Sequence, residues 1–122
     1  TRESQITSQS NGFESDNCGD ASLIEPYTTA LFSNVTFIGP LGRDANFVNN
    51  ESYITGGSFN PNNGSALGKF QSAMQIRRSS RLNCFNSVAV GYPVGLIIDG
   101  EKGNTVEMTK AGNIKLENIW FA

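Results

Sequence analysis

The hydrophobic positions of this 122-residue chain recur in three short segments that can be aligned with one another. Each segment reads apolar, polar, Asn or Ser, Val or Ile, any residue, and then Phe or Val. The segments are FSNVTF (32–37), FNSVAV (85–90) and LENIWF (116–121). A second pair, GFESDN (12–17) and GLIIDG (95–100), recurs in the same order relative to the long segment. Because motifs that recur in a fixed order are typical of stacked repeats, the pattern predicts a β solenoid.

The alternation of inward and outward positions slips by one residue within each long segment. In a flat strand, inward side chains recur at every second residue. A slip that keeps apolar residues inward needs a sharp corner, and Asn tolerates the left-handed backbone conformation of such a corner. The predicted structural corner residues are Asn34, Ser87 and Asn118. The side chains predicted to lie one above another in a shared dry interior are Val35, Val88 and Ile119.

Shorter alternations between the long segments predict further strands. Met74 and Ile76 would share one face of a strand, and Val106 and Met108 indicate another brief strand. Short runs rich in Val, Ile and Phe between Gly and Asn residues are typical of an all-β fold.

The length of the chain suits a single domain. We expect residues 1–10, which are polar and aperiodic, to form a flexible N-terminal segment and residues 11–122 to form one domain. Residues 41–70 contain many Gly and Asn residues and predict a long inserted loop. Such a loop could carry binding specificity or be a turn without a role. Because the first residue is not Met, we expect the chain to be part of a longer parent chain.

The charge balance narrows the classes of function. Charged residues make up 16% of the chain, its net charge is −2 and it has no histidine. We therefore expect no nucleic-acid partner, no histidine general base and no cofactor. No apolar run is long enough to span a bilayer, so a membrane-spanning protein is not expected. Cys18 and Cys84 have no metal or redox spacing; a disulfide stays open, and two free thiols are favoured.

Arg77, Arg78 and Arg81 form the basic cluster of the sequence. Their guanidinium groups could bind a sugar carboxylate in bidentate fashion, or one of them could act as the base of a lyase. The favoured alternative is a solvated turn whose arginines pair with Asp99 or Glu101.

Four carboxylates are candidates for a calcium site because they lie near the ends of predicted strands. They are Glu14, Asp16, Asp20 and Asp99. Their spacing does not follow an EF-hand loop, and aspartates at strand ends commonly cap turns. No metal site is predicted.

Trp120 lies at an outward position of its segment. An exposed Trp could stack on a sugar ring or pack against another part of a longer chain. It completes the candidate ligand-binding residues, with Arg77, Arg78 and Arg81.

Several segments resemble a family of Bacteroidetes surface or secreted proteins. They are GFESDN, FSNVTFIGP, AMQIRRSSRLNCFNSVAVGYPVGLIIDG and NIKLENIWFA, within residues 11–122. The resemblance implies a fragment of a right-handed parallel β-helix of the pectate-lyase-like architecture, with about two to three coils. It also implies an extracellular or cell-surface, outer-membrane-associated location. The calcium-binding Asp and catalytic Arg motifs of pectate lyases are absent, so the resemblance implies no catalytic residue.

We expect from these observations a non-catalytic extracellular or cell-surface segment that is structural and carbohydrate-binding, with a polysaccharide as the candidate partner. Two alternatives stay open. One is a polysaccharide lyase or hydrolase acting on acidic glycans, and the other is an adhesion or protein-interaction module. Uncapped ends of the stack are also expected to promote self-association.

Overall fold

The computed structural model describes residues 11–43, 72–92 and 94–122. The segment 1–10 and most of the predicted loop 41–70 lie outside the described residues, so the predictions for them stay predictions. The elements of the described ranges, in chain order, are β1 (Phe13–Ser15), β2 (Leu31–Ser33), β3 (Thr36–Ile38), α1 (Pro40–Arg43), β4 (Ser72–Ile76), β5 (Asn83–Val90), β6 (Val94–Ile98), α2 (Thr105–Lys110) and β7 (Leu116–Phe121).

The strands form two parallel sheets, and the chain alternates between them except that the consecutive strands β2 and β3 belong to the same sheet. The first sheet has the order β1–β4–β6. In the second sheet, β5 pairs with β2 and β3 along one edge and with β7 along the other. Every pairing in both sheets is parallel. The carboxyl ends of neighbouring strands therefore lie at the same edge of each sheet.

The core lies where the two sheets and the segments around them pack together. Its buried hydrophobic side chains come from β4, β5 and the segments that flank β5 and β7. They are Ala73, Met74, Ile76, Leu82, Cys84, Ala89 and Ile114. Aromatic side chains extend this core, because Phe13 stacks on Phe32 with ring centroids 5.6 Å apart and meets the edge of Phe37 at 5.3 Å. Both cysteines are free thiols, and Cys84 is buried.

The second sheet bends at three asparagines that occupy equivalent positions in its strands. Asn34, Asn86 and Asn118 have positive φ angles of 59°, 50° and 55°. The side-chain amide of Asn118 donates a hydrogen bond of 3.1 Å to Oδ1 of Asn86. We call these three residues the asparagine ladder. Asn34 and Asn118 thus lie at bends, as the slip in the sequence pattern predicts.

Ser87 was predicted to be the middle corner residue, and this prediction is wrong by one position. Ser87 is 2% exposed and follows the bend at Asn86. Its hydroxyl donates to the carbonyl of Phe85 at 2.7 Å and accepts from the backbone N–H of Val35 at 3.1 Å. Ser87 therefore supports the bend from its inner side.

The predicted right-handed parallel β-helix is contradicted. The described strands are three to eight residues long, and they form two small parallel sheets without a closed or coiled sheet. The alignment of 85–90 was displaced by one residue, so Val88 pairs with Thr36 and Trp120 and is 40% exposed. Val88 consequently does not share a dry interior with Val35 and Ile119, which was the basis of the solenoid prediction.

The predicted strand at Val106 and Met108 is also wrong, because both residues lie in helix α2. Thr105 is buried, and Met108 packs against the core three residues later. A spacing of three residues places side chains on one face of a helix, whereas the apparent two-residue alternation is accidental. The fold is mostly sheet, with two short helices in the part described.

Replacing Asn86 with Ala should lower the free energy of unfolding by about 1–2 kcal/mol, because Ala lacks the short polar side chain that lets Asn adopt the left-handed conformation. The Asn86→Gly variant is the matched control, since Gly adopts positive φ without this strain. We expect the glycine variant to stay within about 0.5 kcal/mol of the wild type. Urea unfolding followed by far-ultraviolet circular dichroism measures both values. Equal losses in the two variants would contradict a role of backbone strain.

Candidate functional site

Two arginines and two carboxylates meet at the carboxyl edge of the first sheet. The Arg77 guanidinium lies 3.2 Å from Oε1 of Glu14 and 3.1 Å from Oδ1 of Asp16. Arg78 donates a hydrogen bond of 3.2 Å to the other carboxylate oxygen of Asp16. We call Glu14, Asp16, Arg77 and Arg78 the arginine–carboxylate cluster. The parallel pairing of Ser15 with Ile76 brings its members together from strands far apart in the sequence.

The backbone holds Arg78 in an unusual conformation. Arg78 and the next residue, Ser79, have positive φ angles of 49° and 68°. Ser79 is fully buried; its N–H donates to Oγ1 of Thr105, and its hydroxyl accepts from the N–H of Asn104. These bonds anchor the turn after β4 to the start of α2. The direction of Arg78 is thereby set by buried contacts rather than by a ligand.

A small, open cavity of about 10 Å³ lies beside the cluster. Three cations and two carboxylates line it: Arg77, Arg78, Lys102, Asp99 and Glu101. Because both signs of charge are present, the cavity favours neither an anion nor a cation strongly. The two guanidiniums of the cluster face the carboxylates of Glu14 and Asp16, which offset part of their positive charge. This arrangement favours a structural role for the cluster.

The predicted basic cluster is divided by the structure. Arg81 makes a different contact from the other two arginines, with its guanidinium carbon 3.6 Å from the centroid of the Tyr27 ring. Stacking of this kind stabilises a cation at an aromatic face. The predicted partner Asp99 does not pair with the arginines within the described residues; it accepts from Gln75 and from the N–H of Glu101.

The carboxylates considered for calcium do not form a site in the part of the chain that is described. No group of three or more His, Cys, Asp or Glu residues there could hold a metal ion. Asp20 accepts a hydrogen bond of 2.9 Å from the N–H of Ser22, and chiefly this bond lowers the pKa of its carboxyl group. Tyr92 shows the opposite effect, since burial against the core raises the pKa of its hydroxyl.

Gln75 is a buried polar residue that sequence reasoning missed. Its side chain is fully buried and lies opposite the inward Met74 and Ile76 on β4. Its carbonyl accepts a hydrogen bond of 2.9 Å from Asn11, and its amide donates one of 2.9 Å to Asp99. Gln75 therefore ties the start of β1 to the end of β6. A lone polar residue within an apolar strand segment was the available signal.

The second sheet presents an exposed apolar surface on the side opposite the core. Side chains alternate along a strand, and Ala89 and Phe37 belong to the core side. The residues at the intervening positions point away from it. We call them the Trp120 face: Thr36, Ile38, Val88, Val90 and Trp120. Within it Trp120 is 71% exposed, Ile38 61% and Val88 40%.

Polar amides border the Trp120 face at the bend of the sheet. All three side chains of the asparagine ladder are exposed, and Asn118 lies two residues before Trp120 on the same strand. An amide offers both donors and acceptors. The arrangement thus combines an exposed indole ring with a row of neutral hydrogen-bonding groups. Trp120 belongs to the second sheet, whereas Arg77 and Arg78 follow β4 of the first sheet. The predicted ligand-binding residues are therefore divided between the two sheets.

No family model, curated protein or solved structure matches the chain. The resemblance to Bacteroidetes surface proteins, and the location that it implies, therefore stay predictions. Among the described residues, no helix is long and apolar enough to cross a membrane.

Proposed function

We propose that the chain is a non-catalytic carbohydrate-binding module of a secreted or cell-surface protein, and that the Trp120 face binds a neutral polysaccharide. The observation that carries this proposal is the exposure of Trp120 beside the amides of the asparagine ladder. An indole ring offers a large apolar surface at little conformational cost, which suits stacking on the apolar face of a sugar ring. The neighbouring amides can bond to hydroxyl groups.

The proposal favours a neutral sugar over an acidic one. The arginines that could bind a sugar carboxylate, Arg77 and Arg78, are paired with Glu14 and Asp16. The charged residue of β7 is Glu117, three residues before Trp120, and its carboxylate would repel a uronate. The polysaccharide lyase alternative has less support, because Arg77 and Arg78 face carboxylates and Arg81 stacks on the Tyr27 ring.

Binding can be followed directly because Trp120 is the only tryptophan of the chain. We expect neutral polysaccharides to shift the emission of Trp120 to shorter wavelength, since stacking removes the indole ring from water. Isothermal titration with the same sugars should show that Trp120→Ala weakens binding at least about tenfold, the scale of losing one stacking residue of about 1–3 kcal/mol. Trp120→Phe should retain part of the affinity.

The matched control is Arg81→Gln, which removes a charge at a residue outside the Trp120 face and should leave sugar binding within about twofold. An unchanged Trp120 emission with a broad panel of polysaccharides would contradict the proposal. Equal affinities of the wild type and the Trp120→Ala variant would contradict it as well. A rise in ultraviolet absorbance with polyuronates would instead indicate the lyase alternative.

A second candidate is a protein-interaction module, which is favoured by the aliphatic part of the same face. Val88 is exposed beside Trp120, Ile38 is exposed on the opposite edge strand of the same sheet, and neither can bond to sugar hydroxyls. Contiguous exposed apolar side chains are typical of protein interaction surfaces. Replacing Ile38 with Ala separates the two candidates, because it should weaken a protein contact and leave the stacking of a sugar on Trp120 unchanged.

A further inference from the structure

The second sheet ends in two strand edges that have no neighbouring strand in the described part of the chain. β5 lies in the middle, β2 and β3 form one edge, and β7 forms the other. The first sheet is arranged in the same way, with β1 and β6 at its edges. Edges of this kind present unpaired backbone N–H and C=O groups that can pair with a further strand.

Two inward-facing aromatic residues on the edge strands are incompletely covered. Phe32 on β2 is 41% exposed and Phe121 on β7 is 40% exposed. The residues that pair with them on the middle strand, Cys84 and Ala89, are 0% and 3% exposed. Burial in this sheet therefore depends on having a strand on both sides. A strand added beyond either edge would cover the exposed aromatic ring.

The two edges carry matching patterns at the same register. Phe32 and Leu116 both pair with Cys84, while Thr36 and Trp120 both pair with Val88. Between these positions, each edge has an asparagine of the asparagine ladder with a positive φ angle, Asn34 on one side and Asn118 on the other. The bond from Asn118 to Asn86 shows that such amides pair between adjacent strands. The residue pattern and the bend of each edge strand therefore match those of a strand that could pair with the opposite edge.

The edges of the two sheets also lie at common ends of the molecule. Phe13 on β1 stacks on Phe32 of β2. At the other end, the position of a Cβ on Gly95 of β6 is filled by the ring of Phe121 on β7. If two edge strands of another molecule bound at one end, they would therefore pair with one edge of each sheet.

We propose that the chain associates head to tail with a second copy of itself, with the outer edge of β7 in one copy pairing in parallel with β2 and β3 of the next. In this arrangement Asn118 lies beside Asn34 of the next copy, and the asparagine ladder continues across the junction. The interface is heterologous, so each added copy leaves another open edge. Association should therefore grow with concentration rather than stop at a dimer.

The register of the junction can be tested by charge. Ser33 and Glu117 both pair with Phe85, so the proposed junction places Glu117 beside Ser33 of the next copy. Ser33 is exposed on an edge strand, and its replacement should leave the fold intact. We expect Ser33→Glu to weaken association roughly three- to fivefold and Ser33→Lys to strengthen it by a similar factor, the scale of a cross-strand charge pair.

Sedimentation equilibrium of the wild type and the two variants, without sugar, over a wide concentration range measures these changes. Combining Ser33→Glu with Glu117→Lys should restore association, because the junction then pairs opposite charges. Circular dichroism checks that each variant is folded. A wild type that stays monomeric at high concentration would overturn the proposal. Equal association of the Ser33→Glu and Ser33→Lys variants, or a failure of the double variant to recover, would overturn it too.

The test of self-association is independent of the test of carbohydrate binding. Association is measured in the absence of any sugar, and Ser33 does not belong to the Trp120 face. A monomeric protein that still binds polysaccharide would reject only the assembly, whereas an associating protein without sugar binding would reject only the proposed function.

Discussion

Replacing Ala89 with Asp is expected to lower the free energy of unfolding by about 3–5 kcal/mol, because a charge would enter the core without a partner. Ala89 is 3% exposed on the middle strand of the second sheet and belongs to the core cluster. The carboxylate would be largely shielded from water and would also meet closely packed neighbours. Urea unfolding followed by circular dichroism measures the change.

The matched control is Val88→Asp, one residue earlier on the same strand. Val88 is 40% exposed on the Trp120 face, so the introduced carboxylate would remain in water. We expect a loss of at most about 1 kcal/mol from the removed apolar contacts and the lower β propensity of Asp. The solenoid pattern predicts the reverse order, with Val88→Asp as the damaging change. A larger loss for Val88→Asp than for Ala89→Asp would show that the assigned faces of β5 are exchanged.

The second large effect is expected for Gln75→Leu, which should cost about 2–3 kcal/mol in spite of its similar size and greater hydrophobicity. The substitution removes the donor that Gln75 offers to Asp99 and the acceptor that it offers to Asn11. Asp99 is only 9% exposed, so its carboxylate oxygen would lose a hydrogen bond that water cannot readily replace. The loss would be measured by chemical unfolding at neutral pH.

A double-mutant cycle with Asp99→Asn isolates this interaction. An amide left without a donor is less costly than a carboxylate left without one. We therefore expect Gln75→Leu to cost about 1 kcal/mol less in the Asp99→Asn background than in the wild type. Equal costs in both backgrounds would contradict the bond between Gln75 and Asp99, and would assign the effect to packing alone.

The alignment of the short repeated segments predicted the register of the first sheet correctly, whereas the alignment of the long segments gave a wrong register for the second sheet. Aligning 12–17 with 95–100 places Phe13 with Leu96 and Ser15 with Ile98. In the structure these pairs share Met74 and Ile76 as their partners on the intervening β4. The alignment succeeded because it followed a simple two-residue alternation without a bend.

The long segments were aligned by matching their large apolar side chains rather than the residues that adopt the bend. This choice produced the wrong register for the middle segment. Matching Phe85 with Phe32 moved the middle copy by one residue and placed Ser87 at the bend. Matching the asparagines would have aligned Asn34, Asn86 and Asn118, which share the positive φ angle. A bend fixes the register more strictly than an apolar side chain does, because few residue types tolerate left-handed backbone.

The candidate site was only partly accessible to sequence reasoning. The exposed position of Trp120 follows from its place in the alternation. The carboxylate partners of Arg77 could not be found in this way, because Glu14 and Asp16 reach it only through the pairing of β1 with β4. The position of Arg81 on the Tyr27 ring depends on the path of an irregular segment, which periodicity does not describe.

The alternation of the chain between two sheets has a consequence for how the protein reaches its native state. In the described part, no strand pairs with the strand that follows it in the chain, so no hairpin is available as an early local structure. Each pairing requires the closure of a long loop before any ladder can form, and such topologies fold slowly. The nascent chain must therefore hold its apolar segments exposed until distant partners have been synthesised.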